Sequence, residues 1–227
     1  MESNDLTLRH WFSSGWRTYK TNLKSAFVVT TIYFIYFWLL KLIILYVPHG
    51  NLVSLILQII TGPALNSGCM FFCLKLVRRT PVCQKDFLAG FLVFGKIWLT
   101  GFLLTLITLI GFVLFIVPGI IWGLKYGQSL ISVLDKNLSP LQAIKFSGKI
   151  TYGYKSKLFV LLITGIASAV VLHLPIQYIG LPNLTCKGLC SFLMVGLVPY
   201  LLFFLLVLPW LLIVNMTAYD ALSRQTI

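Results

Sequence analysis

From Ile97 through Leu124 the chain carries no charged residue, and the dipeptide Pro118-Gly119 lies inside that stretch. A helix crossing a bilayer needs about 20 mainly apolar residues, so this stretch and its continuation are too long for one crossing. Lipid offers no hydrogen-bond partner to a stray backbone. The run must therefore fold back on itself, and the turn is expected at Val117-Pro118-Gly119. The same test finds apolar runs at 25–47, 52–77, 97–117, 118–137, 156–174 and 191–217. With 59% apolar and only 10% charged residues, against roughly 25% charged in a soluble domain, the chain cannot dress a water-facing surface. The expected fold class is all-α: a polytopic membrane helix bundle of six spans.

Turn chemistry groups the spans into hairpins. Pro48-His49-Gly50-Asn51 separates the first two, Val117-Pro118-Gly119 the next two, and a longer loop from Pro175 to Cys190 the last two. Basic residues then orient them. Arg9, Arg17, Lys20 and Lys24 precede the first span, and Lys75, Arg78, Arg79, Lys85 and Lys96 lie between the second and third. Lys136, Lys145, Lys149, Lys155 and Lys157 lie between the fourth and fifth, Arg224 is in the tail, and the opposite connections hold only Lys187. By the positive-inside rule both termini are expected in the cytoplasm. The whole chain, 1–227, reads as one integral membrane domain: a cytoplasmic interfacial helix over 1–24, the bundle over 25–217 and a cytoplasmic tail over 218–227. No cleavable signal is expected, because a long charged segment precedes the first span and no A-x-A-like site follows it.

Each hairpin is preceded by a segment suited to lie in the membrane plane. In the first, Leu8, Trp11, Phe12, Trp16, Tyr19 and Leu23 share a helical face beside Arg17, Lys20 and Lys24, which places rings among headgroups and cations against phosphates. The second runs from Asp86 to Lys96. The third opens with Ser139-Pro140-Leu141-Gln142, a capping-box pattern with proline in the first turn, and is expected to break at Gly153. The net charge of +13 is thus explained by anionic lipid. Nucleic acid is not expected as a partner, since no nucleic-acid-binding motif is present.

The chain has no GxSxG, HExxH, GxxxxGK[ST] or GxGxxG. His10, His49 and His173 fall on both sides of the membrane, and no pair has metal-ligand spacing. Neither catalysis, a metal nor a cofactor is expected. None of the acids Glu2, Asp5, Asp86, Asp135 and Asp220 falls in the middle of an apolar run, which argues against a carboxylate proton relay.

Several residues inside the spans are more polar or smaller than lipid contact requires. Gln58, Gly62, Asn66, Cys69 and Cys73 follow steps of three and four and form one stripe, beside a kink expected at Pro63. The stripe suits either a packing face, where small residues admit a neighbour and amides bond across helices, or the wall of a substrate path. Gly119, Gly123 and Gly127 recur at intervals of four and form a second candidate packing face, toward another span or a second protomer. In the sixth span Pro199 and Pro209 are candidate bends.

Lys41 lies seven positions before Pro48, Gln58 seven after Asn51 and Lys125 seven after Pro118. At 1.5 Å per residue each falls about 10 Å below the outer boundary. Two cations at such depth are costly. They either snorkel to headgroups or share an outward-opening pocket, with Gln58 as hydrogen-bond partner and an anion such as a lipid phosphate as ligand.

Among the cysteines, Cys69 and Cys73 lie in the second span and Cys83 is on the cytoplasmic side. Cys186 and Cys190 share the outer loop, where a bacterium offers oxidising conditions, and form a candidate local disulfide. In the same loop Asn183-Leu184-Thr185 matches a glycosylation sequon, relevant only in a eukaryote.

The stretch FIVPGIIWGLKYGQSLISVLDKNLSPLQAIKFSGKITYGYKSKLFVLLI resembles a group of uncharacterised bacterial multi-pass membrane proteins. The group includes the YciC-like inner-membrane proteins and the membrane domain that some glycerophosphodiester phosphodiesterases carry. The resemblance rests on Pro118-Gly119, Lys125-Tyr126, Asp135, Ser139-Pro140 leading to Ala143, Ser147 and Gly153-Tyr154-Lys155, with Gly15-Trp16-Arg17 through Asn22 echoing the start. It implies a six-helix domain of the bacterial cytoplasmic membrane without assigned chemistry, since any phosphodiesterase activity belongs to a domain absent from this sequence. The expected function is non-enzymatic: binding of membrane lipids, anionic phospholipids above all, or of a protein partner, in envelope maintenance. The alternative is a permease or export component for a small or anionic solute. A homo-oligomer or a membrane-protein partner stays open.

Overall fold

Long apolar runs without interior charge satisfy their backbone only as helices in lipid, and helices are what form. In the computed structural model, residues 6–178 and 203–225 are described. They comprise α1 (Leu8–Thr21), α2 (Leu23–Tyr46), α3 (Gly50–Val77), a 3-10 turn (Gln84–Leu88), α4 (Ala89–Leu92), α5 (Phe94–Leu114), α6 (Ile116–Tyr126), α7 (Ser129–Lys136), α8 (Pro140–Ile150), α9 (Lys155–Tyr178) and α10 (Leu208–Arg224), the last preceded by a π-helical turn (Phe203–Val207). Four stretches are long and apolar enough to cross a membrane: Leu23–Ile44, Gly50–Val77, Phe94–Leu114 and Leu205–Arg224. The protein is an all-α membrane protein.

Burial is uneven along the helices. In α3 the residues before Thr61 are mostly exposed, whereas Ala64, Leu65, Cys69, Phe72, Cys73 and Leu76 are buried. Leu65, Cys69, Phe72, Cys73 and Leu76 make one core with Trp11 and Tyr19 of α1, Val29 of α2, Ile131 of α7 and Ile213, Met216 and Tyr219 of α10, at the end of the bundle that carries α1 and the close of α10. We call it the basic end.

Several expectations need correction. The fourth run is not one span from 118 to 137. The chain turns at the single residue Phe115, which is fully extended (φ −165°), and the return path is α6 then α7, interrupted at Gly127-Gln128. Pro118 is tolerated because it sits in the first turn of α6, where an amide hydrogen has no intrahelical acceptor. What fixes the turn is close packing: a Cβ on Gly119 would lie 2.6–2.9 Å from the Phe112 ring. The fifth run does not stop at Pro175, since α9 continues to Tyr178. Of the expected tail, residues 218–224 continue the last helix. Helix α10 reaches Arg224, and Ala218, Tyr219, Asp220 and Leu222 are buried.

The segments expected in the membrane plane also differ. The N-cap Thr7 and the hinge at Asn22 bound α1, but its aromatic face packs mainly on α10. Trp11 and Tyr19 are buried, Phe12 and Trp16 lie 5.7 and 6.1 Å from the Trp210 ring, and Trp16 stays partly exposed beneath the Lys20 ammonium. The segment from Asp86 to Lys96 is a 3-10 turn and one turn of α-helix pressed onto α3, with Phe87 stacked on Phe72 at 4.2 Å. The third behaves as its capping residues dictate: the Ser139 amide donates to Gln142 Oε1 at 3.2 Å, and Gly153 takes a positive φ after α8 ends. Pro63 lies within α3, which continues through it, and Pro209 falls in the first turn of α10. Pro199 lies outside the described residues.

Candidate functional site

The polar groups that matter gather at the basic end. Arg78 closes α3, and its guanidinium spans two helices: Nη1 and Nη2 donate to Asp135 Oδ1 and Oδ2 on α7, the second at 3.1 Å, and Nε donates to Asp220 Oδ1 on α10 at 2.7 Å. Tyr219 donates its hydroxyl to Asp135 Oδ2 at 2.9 Å, and Arg224 Nη2 reaches Asp220 Oδ2 at 2.6 Å. Burial works against the Arg78 charge, but the hydrogen bonds and attraction of Asp135 and Asp220 outweigh it and raise its pKa further above the ordinary arginine range. A planar fork is the group that can serve two carboxylates at once. Nearby, Lys75 Nζ and Asp86 Oδ1 pair at 2.7 Å, while Asp86 Oδ2 accepts the Cys83 amide hydrogen at 2.8 Å. The Arg78 cluster locks α3, α7 and α10 together, and with the separate Lys75–Asp86 pair it accounts for every carboxylate among the described residues. With both carboxylates engaged by arginine, it is built for cohesion.

Two openings flank this lock. The larger, about 670 Å³, is a groove between α5, α6, α9 and α10, walled by leucines, isoleucines and glycines. Its polar groups are Thr108, Gln128 and Asn215; Gln128 Nε2 donates to Asn215 Oδ1 at 2.9 Å, while the buried Gln128 Oε1 has no partner among the described residues. The smaller, about 530 Å³, lies between the end of α1 and the end of α3 and is lined by Arg17, Thr18, Thr21, Asn22, Arg79 and Thr80, with Leu76, Pro81 and Val82.

The residues singled out in the sequence are distributed differently. Lys41 is on α2, with its side chain outside the described set. Gln58 is exposed on α3. The Lys125 ammonium lies over the Tyr126 ring at 4.9 Å, and the Lys125 carbonyl accepts from Ser147 of α8 and from Thr151, which caps it, at 2.9 and 3.0 Å. Neither opening is lined by Gln58 or Lys125. Lys125 ends a short helix against α8, with the turn before it at Phe115 and not at Pro118. The stripe on α3 also divides. Gly62 faces open space, Asn66 Oδ1 accepts the Tyr33 hydroxyl across the hairpin at 2.8 Å, and Cys69 and Cys73 are buried. Gly119 meets α5 closely, a Cβ on Gly123 would lie 3.7 Å from Thr108, and Gly123 and Gly127 line the large groove. Cys186 and Cys190 lie outside the described residues, as does the side chain of His173.

Sequence reading missed the ion-pair lock, although a signal was present. In a chain with 5 acids against 18 basic residues, a carboxylate near a span end has a basic partner to find. Compared with known proteins, the chain matches no family model, no curated protein and no solved structure.

Proposed function

We propose that the protein is a non-enzymatic integral membrane protein that binds anionic phospholipid at its basic end, serving the upkeep of a bacterial cytoplasmic membrane. The carrying observation is charge economy. Asp86, Asp135 and Asp220 are all held in ion pairs with Lys75, Arg78 and Arg224, so the remaining described cations have no carboxylate among the described residues to neutralise them. Among them Arg17 and Arg79 line a cavity. Near an anionic leaflet each such cation contributes about 1 kcal/mol of attraction. The groove between α5, α6, α9 and α10, with its hydrocarbon walls, has the chemistry of an acyl chain more than of a hydrated ion. The six-span topology, with α6–α7 as an interrupted fourth span and both termini cytoplasmic, and membership of the YciC-like group belong to the same reading. They are supported by the distribution of basic residues and by the motif from Pro118 to Lys155.

The test is purification with native lipid, followed by mass spectrometry of what survives detergent exchange. Retention of phosphatidylglycerol, cardiolipin or phosphatidic acid supports the proposal; retention of no anionic lipid refutes it. A reporter fused after Ile227 should be active only in the cytoplasm, and one near Asn51 only outside.

One observation favours the permease alternative. The path from α6 to α7 is broken at Gly127-Gln128, beside an unpartnered amide oxygen in a groove, and transporters place interrupted helices at their sites. Solute flux into proteoliposomes that is abolished by Gln128→Leu would select this reading; retained lipid with no flux would reject it.

A further inference from the structure

We propose that the cavity between the ends of α1 and α3 is a phosphate site, with Arg17 and Arg79 as its two forks, taking a phosphate group on a lipid headgroup or in solution. The inference rests on the anionic-lipid reading and names the place where it acts.

The first observation concerns what already neutralises this corner. Helix C-termini attract cations through their unsatisfied carbonyls, so two arginines there have an ordinary explanation. Here several of those carbonyls already accept hydrogen bonds. Arg17 O accepts from the Thr21 hydroxyl at 2.9 Å, and Thr18 O accepts from both the Asn22 amide and its side chain at 3.1 and 3.0 Å. Tyr19 O accepts from the Asn22 amide at 3.2 Å. On α3, Lys75 O accepts from the Thr80 amide and hydroxyl at 3.0 and 3.2 Å, and Leu76 O from the Arg79 amide at 3.2 Å. With these acceptors occupied and the described carboxylates paired elsewhere, neither guanidinium has an anionic partner among the described residues.

The second observation is the conformation of Arg79. The two amide bonds at the end of α3 form a Schellman motif, in which the residue after the cap turns left-handed and is commonly glycine. Here it is arginine, at φ 54°. A side chain at that position carries a backbone cost that glycine avoids, and this one lines the cavity opposite Arg17. Guanidinium forks match phosphate oxygens in pairs, which a lysine cannot reproduce. The cavity wall adds the Thr18 side chain and the second amide hydrogen of Asn22, while the Thr21 and Thr80 hydroxyls already donate to Arg17 O and Lys75 O. The corner thus sets two exposed arginines, neither with a carboxylate partner among the described residues, around a cavity of about 530 Å³.

Arg79→Gly is an incisive test, because it removes a fork while relieving the left-handed strain, so the fold is preserved. It is compared with Arg17→Gln, with Arg79→Lys, and with Arg9→Gln as an exposed cation on α1 away from the cavity. Binding is measured on the purified full chain in two arms: nanodiscs of phosphatidylcholine with and without phosphatidic acid, and inorganic phosphate by calorimetry in detergent. The expected result is a loss of tenfold or more in phosphatidic acid preference for Arg79→Gly and for Arg17→Gln, partial loss for Arg79→Lys and less than twofold for Arg9→Gln. Equal losses for Arg79→Gly, Arg17→Gln and Arg9→Gln, with none for the charge-conserving Arg79→Lys, would overturn the cavity proposal while leaving the anionic-lipid reading standing as a property of the whole basic face. Tight phosphate binding that needs both arginines, with no lipid preference, would uphold the site and overturn the lipid reading. Wild-type protein that binds neither probe would overturn both.

Discussion

The hairpins α2–α3 and α5–α6 solve the same problem with different chemistry. The first turns through Val47-Pro48-His49, with His49 left-handed at φ 56°, and its arms are tied by hydroxyl and amide groups: Tyr36 with Thr61 at 2.9 Å and Tyr33 to Asn66 at 2.8 Å. The second turns on Phe115 alone and brings its arms so close that a Cβ on Gly111 would sit 2.8 Å from Gly119 Cα. Its tip is apolar throughout, with Val113 79%, Phe115 76% and Val117 64% exposed. Polar cross-links suit a hairpin whose tip meets water or headgroups. Backbone proximity through small residues needs no polar atom and suits one whose tip stays in hydrocarbon. The second hairpin also keeps its exposed backbone small: the Phe115 amide donates to Gly111 O at 3.0 Å, and Pro118 has no amide hydrogen to leave unsatisfied.

The sharpest way to break this contrast is a charge at each tip. Phe115→Lys should lower stability or insertion measurably, by less than the roughly 2.5–3.5 kcal/mol of a cation at the bilayer centre, because the turn lies at the end of α5. His49→Lys should change either by less than about 0.5 kcal/mol, as for a surface substitution. The measurement is the inserted fraction in membranes, paired with labelling by an impermeant maleimide in a cysteine-free background. Asn51→Cys should label and Phe115→Cys should not. Equal labelling of both would show that the two tips reach water alike.

Next in size is the contact at the α5–α6 crossing. Gly119→Ala places a methyl against the Phe112 ring, which must move; overpacking of this kind costs about 1–3 kcal/mol. Gly62→Ala enters open space on α3 and should be neutral or slightly stabilising, since alanine is the better helix former by up to about 1 kcal/mol. Thermal unfolding in one detergent compares the two directly. If both substitutions were equally harmful, the small residues would be acting through backbone flexibility and not through close approach.

These two glycines also show how much was legible in advance. Lipid imposes its demand on every residue of a span, so α2, α3 and α5 are readable as apolar runs, and the ends of α3 fall close to those expected from residues 52–77. The turn at Phe115 was not readable, because proline and glycine signal a turn only by frequency. The deciding contact, Gly119 on Phe112, depends on how two helices pack. The lock was hidden for a related reason. Arg78 meets Asp135 and Asp220 across 57 and 142 positions of chain, and pattern within a helix says nothing about partners so distant. The candidate pocket of Lys41, Gln58 and Lys125 came from depth counting alone, which gives a height in the membrane but no angular position around the bundle. Arg17 and Arg79 were counted as orienting charges, and only the three-dimensional placement of α1 beside the end of α3 puts them in one cavity.

The smallest effect tests the polar side of the comparison. Tyr33 donates to Asn66 across the first hairpin, and hydrogen bonds between membrane helices average about 0.6 kcal/mol, because the separated helices find other partners. Tyr33→Phe should therefore cost about that much, and so should Asn66→Leu once its change in packing is subtracted. A double-mutant cycle isolates the shared term: the double variant should be less destabilised than the sum of the singles by about 0.6 kcal/mol. The same cycle on Phe112→Leu and Gly119→Ala should give coupling of another origin. Shrinking the ring makes room for the methyl, so the double variant should recover part of what Gly119→Ala loses. A vanishing Tyr33–Asn66 term would mean that the first hairpin, like the second, is held by packing, and that the difference between them lies only in the chemistry of their tips.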